Sequence, residues 1–196
     1  MSTVNGLPAH ALLVHLVVVL IPLTAILLIL VAFWPSARRR LSVLTAVFAA
    51  LSLISVPITT DAGEWLERHV ERTPLVRDHT HLGDTMLPWA IGLFLVAAAL
   101  AVRETLRGRA QTPGHPRADG PGTTHAAVVR AGGTRSDGMG GRAGTVVLAV
   151  LALLVALGST VTVYRIGESG ARAAWTGQFS QQPLPQPGHS GPAAGS

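Results

Sequence analysis

Apolar residues in this chain are gathered into four long blocks and do not recur at the period of one helix face or one strand face. The first block runs from Ala11 to Trp34, the second from Leu41 to about Thr60, the third from about Thr85 to Val102 and the fourth from about Thr145 to Tyr164. A helix of about 20 mostly apolar residues crosses the ~30 Å hydrocarbon core of a bilayer. All four blocks are close to that length and carry no Asp, Glu or Arg in their interior, so each is expected to span the membrane. A cleaved signal peptide would put basic residues ahead of the first block, whereas Arg38, Arg39 and Arg40 follow it, and a retained span is expected.

Finer features sit on this frame. Helix one is expected to start at Pro8, and Pro22 inside it frees the carbonyl near Val18 and kinks the span. The second block sets Ser42, Thr45, Ser52, Ser55 and Thr59 among Ala46, Ala49 and Ala50, residue types that let helices approach closely in lipid. In "TTDAGEWLERHVERTP", Asp61 and Glu64 resemble a capping box and Thr73-Pro74 a stop, which predicts a short amphipathic helix lying on the outer surface. The fold class is therefore all-α: a polytopic membrane protein whose four transmembrane helices form a bundle, with both termini outside. One transmembrane domain is expected over residues 1–176, with spans at about 10–34, 41–60, 85–102 and 145–164. A Gly-, Arg- and Pro-rich cytoplasmic loop at 103–143 and the tail at 177–196 are expected to be disordered.

Composition changes the picture at two points. Cysteine is absent, which excludes disulfides, thiolate metal sites, iron–sulfur clusters and cysteine nucleophiles. The formal charge of +5 comes from 15 arginines against 10 acidic residues. Their placement argues for sidedness and against nucleic acid: ten arginines lie in the stretches following the first and third spans. By the positive-inside rule those two loops are cytoplasmic, and the segment from Asp61 to Asp84 faces outward.

That topology brings His10, His15, His69, His79 and His81 to the outer side, with Glu168 just beyond the fourth span. Ionisable groups at membrane depth usually face the bundle interior and serve a purpose. His15 lies five residues beyond His10, about 7 Å deeper and ~140° around the helix, so the two rings cannot grip one ion together. Partners are expected from "RDHTHLGDTMLPWA", which carries His79, His81 and Asp84. An extended His-x-His would turn both rings to one side and a helical one would not, and the sequence leaves both open.

The stretches "HALLVHLVVVLIP" at 10–22, "RDHTHLGDTMLPWA" at 77–90 and "YRIGESGARAAW" at 164–175 together resemble a bacterial family of predicted membrane proteins, domain of unknown function 2231. His10, His15, His79 and the Gly167 to Ala171 stretch match the family's pattern, while Glu168 stands where many members carry His. The resemblance implies a multi-pass protein of the bacterial inner (plasma) membrane and no established activity.

Two cofactor readings follow for electron transfer. Haem b would be held by His15 with His79 or His81, since haem iron accepts axial imidazoles from facing helices. A copper, zinc or iron ion would be held by His10, His79, His81 and Glu168. The alternatives kept open are a proton pathway through His15, Asp84 and Glu168, and a non-catalytic scaffold whose arginines attract anionic lipid. Ser169 lacks the strand–turn–helix context of a nucleophile elbow, so the chain is read as something other than an enzyme in its own right. The expected partners are the lipid bilayer, a membrane redox partner or a second copy of the chain.

Overall fold

A computed structural model describes residues 3–4, 7–71, 73–111 and 139–177. Five helices follow a pair of two-residue antiparallel strands: β1 (Thr3–Val4) and β2 (Leu7–Pro8), then α1 (Ala9–Phe33), α2 (Pro35–Glu67), α3 (Pro74–Asp84), α4 (Met86–Gln111) and α5 (Met139–Trp175). Four helical stretches are long and apolar enough to cross a membrane: Ala9–Phe33, Pro35–Glu67, Pro74–Arg109 and Ala143–Trp175. Helix α1 packs against α2 and α5, and α4 closes the ring by packing against the same two. The short α3 lies across the end of the bundle, mainly on α5.

The helices outrun their apolar blocks. At ~1.5 Å per residue, α2 with 33 residues and α5 with 37 are each about 50 Å or longer, well beyond a ~30 Å hydrocarbon core. Helix α2 passes straight through Asp61 to Glu67, so the capping-box residues do not begin a new helix. The separate short helix is α3 instead. Pro74 occupies the first turn of α3, and the Thr73 hydroxyl accepts from the Val76 N–H at 3.3 Å, so Thr73-Pro74 is a start signal as well as a stop. Helix α4 continues through Arg103 to Gln111, and helix α5 begins at Met139, so both encroach on the loop expected to be disordered. Residues 112–138 of that loop and 178–196 of the tail lie outside the described residues.

The core is laid out at alternating steps of three and four. Helix α1 buries Ile21, Ala25, Leu28 and Ala32; α4 buries Met86, Ala90, Leu93, Ala97 and Leu100; α5 buries Ala152, Ala156, Ser159 and Val163. Helix α2 buries Ser42, Thr45, Ala49, Ser52, Val56 and Thr59, so within its apolar block the inner face is the more polar one. Val43, Leu44, Val47, Leu51, Ile54 and Ile58 point outward, the arrangement expected where the surroundings are hydrocarbon. Buried hydroxyls turn back to carbonyls of their own helix: Thr45 donates to the Leu41 carbonyl and Thr59 to that of Ser55. Thr24 Oγ1 and Ser52 Oγ lie 3.1 Å apart, and each is also within reach of a carbonyl of its own helix, Leu20 at 2.7 Å and Phe48 at 2.9 Å; one hydroxyl donates to the other and the second to its carbonyl, which ties α1 to α2.

Small residues set the helix spacings. A Cβ on Gly158 of α5 would stand 2.1 Å from Cζ3 and 2.2 Å from Cη2 of Trp89, and one on Gly92 of α4 would stand 2.4 Å from Cγ1 of Val155. Thus Trp89 lies on the α5 backbone and Val155 on the α4 backbone, a reciprocal pair of knobs along one seam.

Only Trp34 separates α1 from α2. Its extended backbone (φ −111°, ψ 109°) is what a following proline imposes, and Pro35 then opens α2. Arg38, in the first turns of α2, turns back: its Nε donates to the Val31 carbonyl at 2.9 Å and Nη2 donates to the Ala32 carbonyl. These are among the carbonyls at the end of α1 that have no helical partner, at the negative end of the helix dipole. Of the three arginines expected only to mark sidedness, this one is buried and structural. At the same end, Arg103 Nη2 donates to Thr145 Oγ1 at 2.7 Å and ties α4 to α5.

Candidate functional site at the histidine end

The other end of the bundle gathers His10 at the start of α1, Thr59 and Gly63 on α2, His79 on α3, and Ile166, Ser169 and Gly170 on α5. His10 sits two residues into α1, and its Nδ1 donates to the Thr59 carbonyl at 3.0 Å. His79 Nδ1 is hydrogen-bonded to Ser169 Oγ at 3.0 Å. The two rings meet edge to face, with centres 6.2 Å apart and planes crossing at 77°. Both are half-buried.

Glycines make room for the rings. A Cβ on Gly63 would lie 3.0 Å from His10 Cε1, and one on Gly170 would lie 2.9 Å from His79 Cε1. Each imidazole is thus pressed edge-on against bare helix backbone, one on α2 and one on α5. Gly63 carries no signal in the sequence, Thr59 stands there only as part of the packing stripe of the second span, and Ser169 and Gly170 only within the Gly167 to Ala171 stretch. The signal within reach was the small-residue run Gly167 to Ala171, whose Ser169 and Gly170 both meet His79.

The remaining expected residues go elsewhere. His15 is exposed, and its Nδ1 donates to the Ala11 carbonyl of its own helix at 2.6 Å, so the fold does not bring it to His79 or His81. Because "RDHTHLGD" is helical, His79 and His81, two positions apart, turn about 200° from each other. His81 instead lines an open polar pocket with Glu64, Glu67, Arg68, Thr80 and Asp84. Glu168 is exposed and paired with Arg172 one turn along α5. His69 stacks on Trp65 with ring centres 3.9 Å apart, at the end of α2. Among the described residues no three His, Asp or Glu side chains come together as a metal-binding group, so the set His10, His79, His81 and Glu168 is not assembled.

What is assembled is a pair. Two imidazoles from different helices are each fixed through Nδ1, and among the described residues no hydrogen bond to either Nε2 is seen. Anchoring the far ring nitrogen on a carbonyl or hydroxyl is the usual way in which a protein orients an imidazole ligand. No curated protein and no solved structure matches the chain. Residues 6–183, which include every residue of this histidine pair and its supports, match the family of predicted membrane proteins DUF2231, and the chain belongs to that family.

Proposed function

We propose that the protein is an electron carrier of the bacterial plasma membrane in which His10 and His79 would hold a haem b. The observation that carries this reading is the pair itself: two imidazoles on different helices, each pinned through Nδ1, with ring centres 6.2 Å apart. Two protein ligands suit haem iron, whose other four positions belong to the porphyrin, better than a lone zinc ion, which takes three or four. When bound, the haem supplies one-electron chemistry. The chain's own share is to orient the imidazoles, through the Thr59 carbonyl and Ser169 hydroxyl, and to keep Gly63 and Gly170 free of side chains beside them.

The Arg38 and Arg103 end is cytoplasmic on the positive-inside rule, which puts the histidine pair at the outer face, within reach of a redox partner in or on the membrane. The test is the visible spectrum of protein purified in mild detergent from cells supplied with haem precursor. A Soret band that shifts on reduction is expected in the wild type and in His15→Ala, and its loss in His10→Ala and in His79→Ala. A spectrum without a Soret band, or a band that survives both His10→Ala and His79→Ala, would sink the reading. In that case the two histidines serve to dock α3, and the protein is a membrane scaffold.

A further inference from the structure

Ser169 carries one hydroxyl proton and lies beside two candidate acceptors. Its Oγ is 2.9 Å from the Ile166 carbonyl oxygen, one helical turn back in α5, and 3.0 Å from His79 Nδ1. A carbonyl can only accept, so if the hydroxyl proton goes to Ile166, the bond to His79 must run the other way, from the ring N–H to the hydroxyl oxygen. Helical serines commonly donate to a carbonyl three or four residues back, and the Ile166 backbone is also a hydrogen-bond partner of the His79 ring, an acceptor that likewise calls for a proton on the ring nitrogen facing it. The neighbouring Gly170 closes the arrangement, since a Cβ there would stand 2.9 Å from His79 Cε1 and 3.3 Å from Nδ1. The ring therefore cannot slide along α5 to another acceptor without leaving this wall.

We infer that Ser169 is the positioning residue of His79: its hydroxyl, committed to the Ile166 carbonyl, accepts from His79 Nδ1 and so fixes the Nδ1–H tautomer and leaves the lone pair on Nε2. His10 reaches the same tautomer by a different route, because the Thr59 carbonyl it meets at 3.0 Å can only accept. Both rings thereby present the same nitrogen outward. Free neutral histidine favours the opposite tautomer, and in a protein the hydrogen bond made by one nitrogen decides the state of the other. That Nε2 is then an iron ligand rests on the haem reading; the tautomer does not.

The experiment uses the full chain, free of haem, labelled with nitrogen-15 histidine in detergent micelles at a pH of about 8.5, two units above the ordinary imidazole pKa of about 6.5. The ring nitrogen shifts of His79, identified by their disappearance in His79→Gln, report directly which nitrogen bears the proton. The Nδ1–H form is expected in the wild type and in Ser169→Thr, and a shift toward Nε2–H in Ser169→Ala, with His10 unchanged in all three. A wild-type His79 in the Nε2–H form, or a Ser169→Ala spectrum like the wild type, would overturn the inference. If Ser169→Ala does not fold, the wild-type and Ser169→Thr spectra decide.

Haemin titration of the same samples separates the two readings. A loss of about 10- to 100-fold in haemin affinity in Ser169→Ala, restored in Ser169→Thr, is expected for a group that orients a metal ligand. Equal affinity in Ser169→Ala and wild type would refute the positioning role even where haem binds. Failure of the wild type to bind haemin would remove the haem reading alone, with the nitrogen shifts still deciding the role of Ser169.

Discussion

Replacing Gly158 by alanine tests whether the α4–α5 seam is as tight as the geometry states. The added methyl carbon would stand 2.1, 2.2 and 2.7 Å from Cζ3, Cη2 and Cε3 of Trp89. Carbon atoms in contact prefer about 3.5–4.0 Å, so the overlap is roughly 1.5 Å against three atoms of a rigid ring. The indole cannot absorb that by bending; either it leaves its rotamer or the two helices separate. Overpacking of this kind typically costs about 1–3 kcal/mol, and an overlap with ring atoms this deep belongs at the upper end, near 3 kcal/mol. Equilibrium unfolding in mixed detergent micelles measures it. Trp89→Leu alone should also destabilise, by removing ring contacts with α5. In the double variant the leucine vacates the space that the methyl needs, so the loss should fall short of the sum by at least about 1 kcal/mol. Strict additivity, or a Gly158→Ala protein within about 0.5 kcal/mol of wild type, would show that Trp89 does not rest on the α5 backbone.

Two further outcomes follow from contacts elsewhere in the bundle. Arg38→Ala should cost about 1.5–3 kcal/mol, because hydrogen bonds from a charged donor are lost and two carbonyls at the end of α1 are left bare, while Arg40→Ala, exposed on the same turn, should be near neutral; the same unfolding assay compares them. A double-mutant cycle on Thr24→Val and Ser52→Ala should give a coupling of about 0.6 kcal/mol, the usual scale for an interhelical hydrogen bond in a membrane, and a coupling of zero would place the two hydroxyls out of contact.

The number and type of the spans were legible because hydrocarbon thickness imposes a length that the apolar blocks meet directly. Which face of each span turns inward was much less so. In water a helix betrays its inner face by being apolar there, but here Leu51 and Ile54 look outward while Thr45 and Ser52 look inward, and α1 is apolar all round. His15 shows the consequence. The ~140° between His10 and His15 follows from helix geometry alone, yet nothing in "HALLVH" says which of the two faces the bundle. The one inner-face cue available was the Ser, Thr and Ala stripe on α2, and it pointed correctly to packing.

The site was half legible for a related reason. His10 and His79 stand out as imidazoles near a membrane, but their supports are a backbone carbonyl, a serine and two glycines, all common in any span. Their roles appear only when α2 and α5 are brought beside the rings. The helical state of "RDHTHLGD" also depended on Pro74, which looks like a terminator when read from the left and an initiator when read from the right.

The single-residue connection at Trp34 bears on how the protein is made. With no polar loop between α1 and α2, and with Arg38 fastened to the carbonyls of Val31 and Ala32, there is nothing at that tip to be threaded across a bilayer. On the proposed orientation the charged corner stays on the side where synthesis occurs, and both arms can enter lipid together, joined through Thr24 and Ser52. On that orientation the first two spans form a helical hairpin able to enter the bilayer as one unit.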